Sequence, residues 1–85
     1  MKLVYFASVR RAIGVDEETL DPPPHVRTVA ALIEWLKTRG PRYAEAFRDE
    51  ARLRAAVNQE HTSFDRAIGP NDEIALFPPV TGGAA

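Results

Sequence analysis

The residues best placed to take part in chemistry stand together near the end of the chain: Phe77-Pro78-Pro79-Val80-Thr81-Gly82-Gly83, with Ala84 and Ala85 after them. An apolar run, Glu73-Ile74-Ala75-Leu76-Phe77, leads into this stretch and reads as a strand. Two prolines then end sheet pairing, because neither can donate a backbone hydrogen bond. Beyond Val80 and Thr81 the chain narrows to two residues without side chains, the thinnest backbone available. Pro78 to Gly83 can reach roughly 20 Å when extended, at about 3.3 Å per residue. The chemistry that suits such a segment is on its own main chain, pushed into the narrow active site of another protein.

Residues elsewhere offer no competing centre. His25 and His61 are far apart and neither sits at ligand spacing, so no metal site is read from them. Ser8 and Ser63 lack the glycine-flanked elbow of a nucleophilic serine. The run Asp16-Glu17-Glu18 reads as a solvated strand edge that discourages strand addition. Gly82-Gly83 has no helix after it to present an N-terminus to phosphate. The chain has no cysteine, which removes disulfides, a cysteine nucleophile and thiolate metal sites. A small domain without an internal active site and with a glycine tail is the pattern of a carrier whose catalytic groups belong to its partners.

The 85 residues suit one small domain, 45% apolar and 27% charged, as in ordinary folded proteins. A net charge of −1 gives no reason to expect nucleic acid or an anionic membrane as partner. No apolar run has membrane-spanning length and no signal-peptide pattern opens the chain, so a cytoplasmic protein is expected.

The elements that must position the tail follow from periodicity. Lys2 to Ser8 is predicted as a central strand and Val9 to Ile13 as one helical turn closed by Gly14. Asp16 to Leu20 is predicted as an edge strand hairpinned to the first, followed by a stiff loop, Asp21-Pro22-Pro23-Pro24. Thr28 to Arg39 carries the strongest signal: Thr28 as N-cap, then Val29, Leu32, Ile33 and Leu36 on one stripe, with Gly40-Pro41 as the stop. Trp35 flanks that stripe and reads as a half-buried shoulder of the core. A short second helix is predicted within 42–52, with Tyr43, Ala46 and Phe47 inward. Leu53 to Asn58 is a strand, Asn58-Gln59 a turn, and a brief return strand runs towards Ser63; Phe64 plugs the core. Gly69 to Asp72 turns into the last strand, Glu73 to Phe77. This order predicts an α+β domain over residues 1–77: a mixed sheet of about five strands, its first and last strands central neighbours, with one main helix packed across it. That is the β-grasp arrangement, with residues 78–85 as a tail.

Several blocks resemble the small, sulfur-carrying subunit of molybdopterin synthase: Phe6-Ala7-Ser8-Val9-Arg10 with Gly14, Ala55 to Gln59, Ser63-Phe64-Asp65, and Asp72 to Gly83. The last block, ending Phe-Pro-Pro-Val-Thr-Gly-Gly, is the specific one. The resemblance implies a ubiquitin-like β-grasp fold and a cycle on Gly83. A ubiquitin-activating-type enzyme uses ATP to adenylate the glycine carboxylate, and a sulfur donor converts the adenylate to a thiocarboxylate. The tail, Pro78, Pro79, Val80, Thr81 and Gly82, then carries the sulfur into the large synthase subunit, where it is given to cyclic pyranopterin monophosphate. The resemblance implies a heterotetramer with that subunit and no tightly bound cofactor or metal of the carrier's own.

This sequence departs from the pattern twice. Ala84 and Ala85 leave Gly83 without a free carboxylate, which implies a trimming protease or a blocked tail. His61 stands where an apolar residue is expected on a partner-facing surface formed with Phe6 and Phe77. A β-grasp carrier for thiamine, cysteine or another thio-metabolite, a ubiquitin-like modifier and an inactive binding module remain alternatives on the sequence alone.

Overall fold

The computed structural model of the chain describes residues 1–79. Its elements are β1 (Lys2–Tyr5), α1 (Ala7–Ile13), β2 (Glu17–Thr19), α2 (Val29–Lys37), α3 (Pro41–Ala46), a 3-10 turn (Glu50–Arg52), β3 (Arg54–Val57), β4 (Glu60–Thr62) and β5 (Glu73–Phe77). The five strands form one sheet in the order β2-β1-β5-β3-β4. β1 and β5 are parallel; the other neighbours are antiparallel. The predicted pairing of the first and last strands is therefore present, and β5 occupies the middle of the sheet.

Alternation along the strands decides which face is covered. Leu3 and Tyr5 of β1, Ile74 and Leu76 of β5, and Ala55 and Val57 of β3 are buried. They join Val29, Leu32, Ile33 and Leu36, the predicted stripe of α2, in one core with Val9, Ile13 and Phe47. Thr28 caps α2 by accepting a hydrogen bond from the Ala31 N–H at 3.1 Å. Trp35 and Phe64 pack half-buried against the core as expected. Arg39 lies over both the Trp35 and Tyr43 rings, 5.2 and 5.4 Å from their centroids.

The structure shifts the ends of several elements from where the sequence places them; β2 and β3 are each one residue shorter at both ends than predicted. β1 ends at Tyr5 rather than Ser8, and the helix after it starts at Ala7 and spans seven residues. Phe6 is thus the N-cap of α1, not a strand residue. α2 ends at Lys37, where Thr38 caps it and returns its hydroxyl to the Trp35 carbonyl at 2.6 Å. The Gly40-Pro41 pair does not stop α2 but opens α3, with Gly40 as N-cap and proline at the first helical position. Gly14 does close α1: its φ of 98° is left-handed, and its N–H bonds the Arg10 carbonyl at 2.8 Å.

Two sets of polar contacts fix the sheet margins. At the β2 edge, Glu18 Oε2 accepts from the Tyr5 hydroxyl at 2.8 Å and from the Tyr43 hydroxyl at 2.7 Å, tying β1, β2 and α3 together. Burial and the adjacent carboxylate push the Tyr5 phenol far above its ordinary range, and Tyr43 is raised for the same two reasons. At the start of β5, Asn58 donates to Asp72 Oδ1 at 2.9 Å and accepts from the Glu73 N–H at 3.0 Å. That amide, with the Gly69 N–H, holds the Asp72 carboxyl below the usual carboxylate range. Asn58 and Gln59 both take positive φ, 52° and 70°, the turn geometry that joins β3 to β4.

Candidate functional site

The face of the sheet opposite α2 is open. Register places Val4 beside Ala75, Ala75 beside Ala56, and Ala56 beside His61, so four strands contribute one row of mostly small apolar side chains. Small side chains make a shallow floor, and larger ones wall it at one end. The resulting depression, about 570 Å³, is lined by this row with Phe6, Phe77, Pro78 and Pro79 at the tail end and Gln59 and Glu73 at the other.

Phe6 reaches this face although it lies outside β1. Its N–H continues the parallel ladder by bonding the Leu76 carbonyl at 3.3 Å, which keeps it level with Phe77. Ala7 then takes a φ of 52°, sparsely used by residues with a Cβ, and turns the chain into α1. The phenyl of Phe6 is left 48% exposed, the largest exposed apolar side chain among the described residues. It meets Phe77 edge-on, centroids 6.4 Å apart at 80°. His61 meets the other side of Phe77 at 5.3 Å and 64°. The structure therefore brings together the three residues singled out in sequence for a partner surface, with Phe77 between the other two. The floor residues Val4, Ala56 and Ala75 were missed, although alanines at alternate positions of apolar strands signal a face that needs flat rather than bulky groups.

Pro78 and Pro79 follow β5 and are half-buried on the wall of the depression. Val80, Thr81, Gly82 and Gly83, and the two alanines after them, lie outside the described residues. His25 is exposed and takes no part in this face. Among the described residues, no group of three or more His, Asp or Glu side chains could hold a metal ion, and no helix is long and apolar enough to cross a membrane.

A β-grasp sheet with one face closed by a helix, the other open and apolar, and a central strand leading straight into the C-terminal segment is the architecture of a ubiquitin-like protein. The ThiS family model matches residues 3–83, and the chain belongs to that family. It is 44% identical over 85 residues to the molybdopterin synthase sulfur carrier subunit of Escherichia coli, covering 98% of this chain and 99% of that one. The subunit of the same name from Dictyostelium discoideum is 42% identical over 84 residues, with 96% and 94% covered. Among solved structures, a putative molybdopterin converting factor, subunit 1, from Pyrococcus furiosus superposes with a TM-score of 0.73 at 36% identity, covering 93% of this chain and 95% of the other. Small archaeal modifier protein 1 of Haloferax volcanii shares the fold alone, with a TM-score of 0.72 at 24% identity, covering 94% and 97%.

Proposed function

We propose that this chain is a sulfur carrier of molybdenum cofactor biosynthesis, acting as the small subunit of molybdopterin synthase. The observation that carries the reading is the continuity of face and tail: β5 forms the middle of the open face and runs without interruption into Phe77-Pro78-Pro79 and, in sequence, Val80-Thr81-Gly82-Gly83. Docking that face on a partner would aim the tail into it. The relatives quoted above carry the molybdopterin name, which favours this pathway over another thio-metabolite.

In this reading Phe6, His61 and Phe77 form the patch that meets the large subunit, and Pro78 to Gly82 line the partner's channel. The Gly83 carboxylate attacks the α-phosphate of ATP in an adenylating partner and releases pyrophosphate. A sulfur donor then displaces AMP and leaves a thiocarboxylate, a soft nucleophile that needs no cysteine. Glycines let the reacting carbon approach without side-chain clash, so that positioning supplies much of the rate. Ala84 follows Gly83, so this chemistry requires a cut after Gly83. Two extra residues would move the terminal carboxylate by up to about 7 Å, and even about 1 Å of misplacement can cost a hundredfold in rate.

The test compares a form ending at Gly83 with the 85-residue form, each mixed with the adenylating enzyme, ATP and a sulfur donor and followed by intact mass. The shorter form gains the mass of sulfur for oxygen and the longer one does not. No gain by either form rejects the carrier reading; equal gain by both rejects the requirement for trimming.

A further inference from the structure

Arg54 opens β3 directly opposite Phe77, on the side of the sheet floored by Val4, Ala56 and Ala75, and is exposed. Its guanidinium is anchored through one nitrogen. Nη1 donates to the Leu53 carbonyl at 2.9 Å and to the Ala51 carbonyl at 3.3 Å. An arginine presents five N–H donors in a planar fork. With Nη1 held by backbone, Nε and Nη2 remain, the edge that meets a carboxylate through two parallel hydrogen bonds. Arg52, also exposed, lies two residues upstream and lines a second depression of about 340 Å³ with Arg48 and Pro78. Arg48 is paired with Glu45 at 3.5 Å, whereas among the described residues no carboxylate forms an ion pair with Arg52 or Arg54.

We propose that Arg54, assisted by Arg52, forms a cationic lip at the tail exit that docks against carboxylates of a protein partner at the mouth of the channel the tail enters. The proposal rests on the carrier reading above. A surface arginine is ordinarily solvated on a flexible stem; here the guanidinium is pre-oriented, and among the described residues its bidentate edge has no hydrogen-bond partner. The other anion such a lip could meet is a phosphate on the ligand reacting at the tail. Chain length argues against it. Gly83 is six residues beyond Phe77, and a chain threaded through a narrow channel spans roughly 20 Å over that distance. The lip therefore meets the channel mouth, not the chemistry inside it. Opposite charge at that place also fixes how the apolar face is oriented on its partner, which apolar contact alone does poorly.

The experiment measures the affinity of the form ending at Gly83 for the large subunit of molybdopterin synthase from the same organism, at about 0.05 M and 0.5 M salt. Arg54→Leu is expected to bind about tenfold more weakly at low salt, with a flatter salt dependence and a smaller deficit at high salt. Arg54→Lys keeps the salt dependence but recovers only part of the affinity, because an ammonium cannot make the bidentate contact. Arg52→Gln shows a smaller loss in the same direction. Should Arg54→Leu fail to fold, Arg54→Lys and Arg52→Gln decide the matter. Unchanged affinity and salt slope in the folded variants overturn the lip. Unchanged docking with slower sulfur transfer also overturns it and assigns the arginines to an anionic ligand. No binding by the unsubstituted protein overturns the carrier reading itself.

Discussion

The imidazole of His61 lies edge-on to the ring of Phe77, centroids 5.3 Å apart at 64°, although one residue is on the edge strand β4 and the other on the central strand β5. The small side chain of Ala56, on the strand between them, leaves room for that contact. His61 is exposed, so a partner covering Phe77 would cover the imidazole as well. An apolar interface must desolvate the polar atoms of the ring, which an aliphatic side chain would not require. His61→Leu is therefore expected to bind the large subunit several-fold more tightly than the unsubstituted protein. Calorimetric titrations of the two proteins check this: equal affinities would remove His61 from the interface.

Phe77 is half-buried at the rim and contacts the exposed Phe6, and in the proposed reading its ring serves the partner contact more than the core. Phe77→Ala is expected to weaken binding by about tenfold or more, a loss of at least roughly 1.4 kcal/mol. The melting temperature should fall by no more than about 5 °C. Calorimetric binding and thermal melts on the same samples separate the two effects; a large drop in melting temperature with little change in affinity would place Phe77 in the core instead.

Leu36 is fully buried where α2 meets the sheet. Leu36→Ala is expected to cost about 2–5 kcal/mol, a large part of the stability of so small a domain. Urea unfolding measures it, and a loss below about 0.5 kcal/mol would contradict the packing.

Both tyrosines of the chain donate to Glu18, and both phenols are raised in the folded state. A raised folded value means stability that is fully present below the unfolded value, near 10, and is lost progressively as pH rises above it. Tyrosinate absorbance is expected to stay low through about pH 10 and then appear with unfolding rather than before it. Tyr5→Phe should cost roughly 1–3 kcal/mol, since it removes a hydrogen bond to a charged acceptor, and should reduce the alkaline loss. A tyrosine titrating normally in the folded protein would show that the Glu18 contacts do not persist in solution.

Sequence by itself determined the elements whose signals are local. The stripe Val29, Leu32, Ile33 and Leu36 with Thr28 before it could form only one kind of helix face, and α2 follows it. The alternation of Glu73 to Phe77, stopped by Pro78-Pro79, defined β5, and continuous apolar runs in β1 and β5 indicated that they are neighbours. That Phe6 and Phe77 lie together followed from the predicted pairing of the first and last strands, and the rings of Phe6, Phe77 and His61 are neighbours in the fold.

Tertiary structure decided what depends on pairing between distant segments. Gly40-Pro41 is as good a helix stop as a helix start, and only the packing of Tyr43 and Phe47 against the core made it the opening of α3. Phe6 belongs to the ladder by one hydrogen bond to Leu76 and to α1 by its dihedrals, a division that no periodicity reveals. The meeting of Tyr5 and Tyr43 at Glu18, and of Arg54 with Phe77, joins residues 13 to 25 positions apart in sequence. Strand register sets those distances, and register is fixed only when the whole sheet closes over its core.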